Sequence, residues 1–169
     1  MILIAIGSNL PAPHGSPRAN GEAALRALEK EGVRIVRRSR WYRTPPWPAT
    51  EAAHQPWYVN AVVAVETTLA AEELLATLHR IEAAMGRRRG PDTLNAARPI
   101  DLDLIDYDGL VRQEAPILPH PRMEGRAFVL RPLADVAPAW VHPVSRRPLA
   151  ALLAGLPADA VAEPISELN

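Results

Sequence analysis

At 169 residues the chain is long enough for one domain with a substantial core and too short for two of ordinary size, so residues 1–169 are expected to form a single domain. Nineteen basic and nineteen acidic residues cancel, which removes any global attraction for nucleic acid or an anionic membrane and leaves basic work to local clusters. The absence of cysteine excludes disulfides, thiolate metal sites and cysteine nucleophiles, and residues 1–7 have neither the basic flank nor the length of a signal or membrane segment, so the cytoplasm is the expected compartment.

Residues 2–6 form an apolar run that reads as a buried strand, ended by Gly7-Ser8-Asn9 as a plain strand-to-loop turn. Ser16 followed by Pro17 is a good N-cap and first-turn pair for a helix that Gly32 closes. Residues 33–43 alternate enough for a strand, and Thr44-Pro45-Pro46-Trp47-Pro48 then opens a loop to about residue 55. The strand signal is clearest over 57–67, with Trp57, Val59, Ala61, Val63 and Val65 on one face and Tyr58 and Asn60 on the other. Leu74, Leu75, Leu78, Ile81 and Met85 recur at helical spacing, with Gly86 as the stop. A loop over 87–97 leads into a second chemically marked strand at 100–105; Asp108-Gly109 signals a hairpin returning toward Leu118-Pro119-His120. The remainder, with Phe128, Leu130, Leu133 and Trp140 among prolines, reads as short helical turns covering the core. The order β-α-β-β-α-β predicts an α+β, ferredoxin-like antiparallel sheet with both helices on one face, followed by the hairpin and short helices. One sheet face is expected to be free, carrying Tyr58, Asn60, Asp101 and Asp103 together.

The chemistry is concentrated in Arg98-Pro99-Ile100-Asp101-Leu102-Asp103-Leu104. Alternation along a strand puts Asp101 and Asp103 on one face, their Cα atoms roughly 6.5 Å apart, with Ile100, Leu102 and Leu104 on the other. Two such carboxylates suit hard cations, typically Mg²⁺; an edge strand whose polar face simply meets water is the plainer alternative. Gly86-Arg87-Arg88-Arg89-Gly90 and Arg98 put arginines at both ends of the preceding loop, an arrangement suited to folding over a polyphosphate, or else a solvated basic loop. His79 and Glu82 share a side of the second helix next to its apolar stripe, a solvated face on the bland reading. His120, held between two prolines, is placed to donate to a phosphate or purine, or equally is a turn histidine with no role. Tyr58 and Asn60, with Pro45, Trp47 and Phe128, offer aromatic walls and a two-sided amide suited to a flat heterocycle. P-loop, Rossmann and Gly-x-Ser-x-Gly signatures are absent.

Taken together, Ile6-Gly7-Ser8-Asn9-Leu10, Tyr42-Arg43-Thr44-Pro45-Pro46, Gln55-Pro56-x-Tyr58-x-Asn60-Ala61, Arg98-Pro99-Ile100-Asp101-Leu102-Asp103, Pro119-His120-Pro121 and Arg126-Ala127-Phe128-Val129-Leu130 resemble the 6-hydroxymethyl-7,8-dihydropterin pyrophosphokinase family of folate biosynthesis over nearly the whole chain. The resemblance implies transfer of pyrophosphate from ATP to a reduced pterin, releasing AMP. It implies two Mg²⁺ ions on Asp101 and Asp103, and loop arginines Arg87 and Arg98 on the triphosphate. Thr44, Pro45, Tyr58, Asn60 and Phe128 would meet the pterin, with Trp47 joining them on the reading of the aromatic walls above, and His79, Glu82, Arg89, Arg98, His120 and Arg126 the nucleotide side. It further implies a monomer with ATP and the pterin as its partners, and neither nucleic acid nor a membrane. Asn95-Ala96-Ala97-Arg98 stands where many members read Trp-Gly-Pro-Arg, so a tryptophan that closes over both substrates is missing, and Trp47 or a different loop closure is left to make up for it. From the residues alone, a Mg²⁺-dependent nucleotidyl transferase or a non-catalytic ferredoxin-like binding module also stays open.

Overall fold

The computed structural model describes residues 1–47, 54–88 and 96–166. Its central strand, β1 (Ile2–Ser8), is buried along its whole length, as an apolar run flanked on both sides must be. Strand β4 (Tyr58–Glu66) and strand β5 (Asp101–Tyr107) pair with it antiparallel, one on each side. Beyond β4 lie β2 (Arg34–Arg38) and β3 (Tyr42–Thr44), and β3 carries a two-residue strand, β6 (Glu163–Pro164), on its outer edge. The stretch 33–43 is thus two strands rather than one. Ser39 makes the break: its hydroxyl accepts the Val62 N–H (3.0 Å) and its own N–H donates to the Val62 carbonyl (3.0 Å), so a side chain keeps β4 satisfied while the chain turns.

Helix α1 (Pro17–Lys30) starts at Ser16, whose hydroxyl accepts the Ala19 N–H (3.1 Å), and Gly32 follows it at φ +81°. Helix α2 (Ala71–Ala84) is followed by Gly86 at φ +88°. Both pack on one face of the sheet, against Ile2, Ile4, Ile6, Ala61, Val63, Val65, Leu102 and Leu104. Trp41 enters this layer so close to α1 that a methyl group on Gly21 would lie 2.2 Å from its ring.

The opposite face is not free, as the sequence order suggested. Helices α3 (Ala127–Val136) and α4 (Leu149–Ala154) cover most of it, packing Val129, Leu130, Leu133, Val136 and Leu152 on Leu3, Val62, Ala64 and Ile105. The reason is apolar surface: over the covered part of that side the strands present Leu3, Val62, Ala64 and Ile105, and water is a poor partner for them. The cover stops where the sheet face changes to Ala5, Gly7, Tyr58, Asn60, Asp101 and Asp103, and the hollow left there is the cleft described below.

The expected return after β5 is made by Asp108 (φ 52°) and Gly109 (φ 74°), then by one bridge between Arg112 and Leu118. The His120 N–H then donates to the Ile105 carbonyl (2.9 Å), which fixes His120 beside β5. Trp57, read from the sequence as the first residue of that strand and on one face with Val59 and Ala61, instead lies exposed just before β4 with Arg43 stacked 4.8 Å from its ring centroid. Among the described residues no helix is long and apolar enough to cross a membrane.

Candidate active site

Strand register brings the polar residues together. Gly7 faces Asn60 on one side and Asp101 on the other, and Ala5 faces Val62 and Asp103, so two rows cross the sheet side by side. Two small residues in the middle strand leave space above these rows. The resulting cleft, about 320 Å³, is lined by Thr44, Pro45, Trp47, Tyr58, Asn60 and Phe128 toward one side and by Arg87, Arg98, Asp101, Asp103, His120, Arg122 and Arg126 toward the other. Asn60 donates its amide to the Thr44 hydroxyl (2.8 Å), and both are buried.

Asp101 is gripped by two arginines: Arg87 pairs with it and with Glu82, and Arg98 reaches it at 2.9 Å. Burial opposes the charge of Arg87, but Asp101 and Glu82 outweigh it and raise its pKa. Among the described residues Asp103 has no such ion pair, although the charges of Arg126 and Arg87 act on it. His120 Nε2 stands 4.0 Å from its carboxylate, and burial, aided by Arg126 and Arg122, holds that imidazole down to about 4, hence neutral. The His120 Nδ1 accepts the Arg122 N–H (3.3 Å), which leaves the proton on Nε2, pointed toward Asp103. Burial, with the Asp101 carboxylate beside it, pushes Asp103 up to about 7.

Two carboxylates side by side on one face, of which Asp103 has no arginine ion pair among the described residues, fit a hard divalent cation. Among the described residues no cluster of three or more His, Asp or Glu stands ready for a metal, so two carboxylates would leave the remaining positions to water and substrate oxygens, the manner in which Mg²⁺ is usually held.

A family model described as 7,8-dihydro-6-hydroxymethylpterin-pyrophosphokinase matches residues 3–138. The 2-amino-4-hydroxy-6-hydroxymethyldihydropteridine pyrophosphokinase of Synechocystis is 38% identical over 169 residues, covering 94% of this chain and 77% of that protein. The chain belongs to this family. The pyrophosphokinase of the same name from Methylorubrum extorquens is 46% identical over 115 residues, 65% of this chain and 67% of the relative. A bifunctional folate-synthesis protein of Pisum sativum is 39% identical over 140 residues, of which this chain spans 25%. The solved HPPK-DHPS of Plasmodium falciparum superposes with a TM-score of 0.70 at 14% identity over 89% of this chain and 43% of that one, which speaks for the fold. The chain is accordingly a pyrophosphokinase of folate synthesis, an enzyme class that uses ATP as co-substrate.

Most residues singled out in the sequence of this pyrophosphokinase line the one cleft, with three exceptions. Arg89 lies outside the described residues. His79 is half-buried on α2 and is not among the cleft residues. Glu82 is not on a solvated helix face: it is fully buried, accepts the Leu102 N–H (2.8 Å) and holds Arg87, so it acts beneath the cleft. Sequence reasoning missed Arg122, which lines the cleft, and it missed a buried amide hub. Ser8 donates to the Pro99 carbonyl (2.6 Å), Asn9 accepts the Arg98 N–H (2.7 Å), and Asn20 donates to the carbonyls of Leu10, Ala12 and Pro99 at 2.8, 2.8 and 3.1 Å. These side chains fix the backbone that aims Arg98 and Asp101. Ser8 and Asn9 stand in one of the segments that carry the family resemblance, but no role is assigned to them there; for Asn20 the signal is an asparagine among apolar residues, where a buried amide must find partners.

Proposed function

We propose that the cleft transfers the pyrophosphoryl group of ATP to the hydroxymethyl oxygen of 6-hydroxymethyl-7,8-dihydropterin, giving the pterin diphosphate and AMP. The observation that carries the reading is the division of one cleft into a carboxylate and arginine side and an amide and aromatic side, joined across Gly7. Asn60 and Thr44 hydrogen bond the polar edge of the pterin, while Tyr58, Phe128, Pro45 and Trp47 wall its faces. Burial raises the pKa of Tyr58, so its phenol stays a neutral donor.

Asp101 and Asp103 would hold Mg²⁺, two ions in our reading, which would supply neutralisation of phosphate charge and polarisation of the β-phosphoryl group. Arg98 and Arg87 exchange their contacts with Asp101 for phosphate oxygens, for which their planar forks are suited. Neutral His120 hydrogen bonds through its Nε2 proton to a phosphate oxygen, and Arg126 and Arg89 add positive charge on the nucleotide side, to which the family resemblance also assigns His79 although it does not line the cleft. Glu82 keeps Arg87 in reach. The residues mainly align the two substrates and offset charge in the transition state. Because the described residues share one sheet, with helices on both faces, we take residues 1–169 to act as a single domain; a monomer working in the cytoplasm is part of the same proposal and does not rest on the fold.

The test is AMP formation from Mg²⁺-ATP with and without the pterin. AMP that appears only with the pterin, together with its diphosphate, is the expected result; release of pyrophosphate from the nucleotide would instead point to nucleotidyl transfer.

A further inference from the structure

Arg126 stands at the junction of the two halves of the cleft. Its guanidinium carbon lies 5.4 Å from the Trp47 ring centroid and 5.3 Å from that of Phe128, the aromatic residues assigned above to the pterin. Its Nε is buried, and among the described residues it has no hydrogen-bond partner. A buried N–H of a cation without an acceptor is a costly arrangement, and aromatic faces supply attraction but no lone pair in its place. The charges around it pull both ways: Arg122 repels it, while Asp103 and Asp101 draw it toward the phosphate side. Resting on the pyrophosphokinase reading of the site, we propose that Arg126 is a displaceable occupant of the pterin slot. In the substrate-free enzyme its flat N–C–N fork takes the place of the similar 2-aminopyrimidinone edge of the pterin. When the ring enters, the guanidinium moves to the nucleotide, whose phosphate oxygens satisfy the orphaned Nε. Arg126 is thus a positioning residue through which one substrate makes room for the other, and Trp47 is the wall it leaves.

The experiment measures binding of oxidised 6-hydroxymethylpterin, which does not react, to the wild type, R126M and R126A, with folding checked by circular dichroism. R126M retains most of the stem packing while removing the fork. Without nucleotide, both variants are expected to bind the pterin about tenfold more tightly than the wild type. Adding Mg²⁺ and α,β-methylene ATP should tighten binding to the wild type by about the same factor and change the variants little. Equal or weaker pterin binding by the variants would overturn the proposal and make Arg126 an ordinary ligand of the ring. No pterin binding by the wild type under either condition would overturn the pyrophosphokinase reading, and the slot with it. A measurement that needs no Arg126 variant is the Trp47 emission, taken as wild type minus W47F. It should change when Mg²⁺ and inorganic tripolyphosphate alone draw the guanidinium off the ring, and an unchanged signal counts against the displacement.

Discussion

At the scale of single residues, the two aspartates of β5 are unequal although they are two positions apart on one face. Asp101 is held by two arginines, whereas Asp103 faces a neutral imidazole and a second carboxylate. In the metal-free protein the Asp103 pKa rises from the ordinary 3.8 to about 7, so the folded state holds that proton more tightly than the unfolded chain. The stability it contributes is therefore greatest below about 4 and is lost as pH climbs through about 7. Mg²⁺ competes for the same oxygens. We expect the rise in melting temperature caused by Mg²⁺ to be small at pH 5.5 and to grow up to pH 8, with proton release on Mg²⁺ binding near neutrality; isothermal titration in buffers of different ionisation enthalpy checks this. Replacing Asp103 with Asn or Ala should lower turnover on the order of 100-fold or more and abolish that Mg²⁺ effect. Apo D103N should melt at pH 8 no lower than the wild type, since a repelled charge has been removed. Near-normal turnover in either variant would sink the metal assignment.

At the scale of elements, the site depends on a helix that does not line it. Glu82 joins α2 to the backbone of β5 at Leu102 and to Arg87 at once. We expect E82A to lose about 2–4 kcal/mol of stability, because it strands a buried N–H and loosens a partly buried guanidinium; chemical denaturation measures it, and a loss under 0.5 kcal/mol would contradict the role. Gly21 is constrained differently. G21A puts a methyl into the Trp41 ring and should cost about 1–3 kcal/mol, a loss that a smaller residue at position 41 partly offsets in a double-mutant cycle. The period-two alternation of β4 and β5 is why Tyr58, Asn60, Asp101 and Asp103 were legible from sequence, and Ser16-Pro17 and Gly86 marked helix ends for equally local reasons. The second helical layer was harder to read. Its main helix contains Pro132, and its apolar stripe, Val129, Leu130, Leu133 and Val136, spans barely two turns. The amide hub was unreadable because Ser8 and Pro99 meet across 91 positions, and side-chain contacts to a distant backbone leave no periodic trace. Glu82 looked like a solvated acid because local spacing says nothing of what packs on a helix.

At the scale of the whole molecule, β1 has nothing but neighbours: strands on both edges and a helical layer on each face. The outer edge of the pterin side is finished by β6, whose Glu163 pairs with Arg43 (3.0 Å), and the Ile165 N–H donates to the Trp41 carbonyl (2.8 Å). Thr44 sits at the end of that short, doubly paired strand. Removing residues 161–169 should raise KM for the pterin several-fold with little change in KM for ATP, because β3 then keeps one partner instead of two; steady-state kinetics with each substrate varied would show it, and an equal change in both constants would argue for general loosening. The hollow itself is defined by what β1 lacks. A Cβ at position 7 would stand 3.1 Å from the Asn60 side-chain oxygen and 3.7 Å from Asp101, so one added methyl would crowd the amide half of the cleft while only touching the carboxylate half. The strand at the centre of the sheet, which touches neither substrate through a long side chain, is the gauge of the cleft: its two smallest residues set how deep a ring and a phosphate chain can sit side by side, and the rest of the molecule is built around that depth.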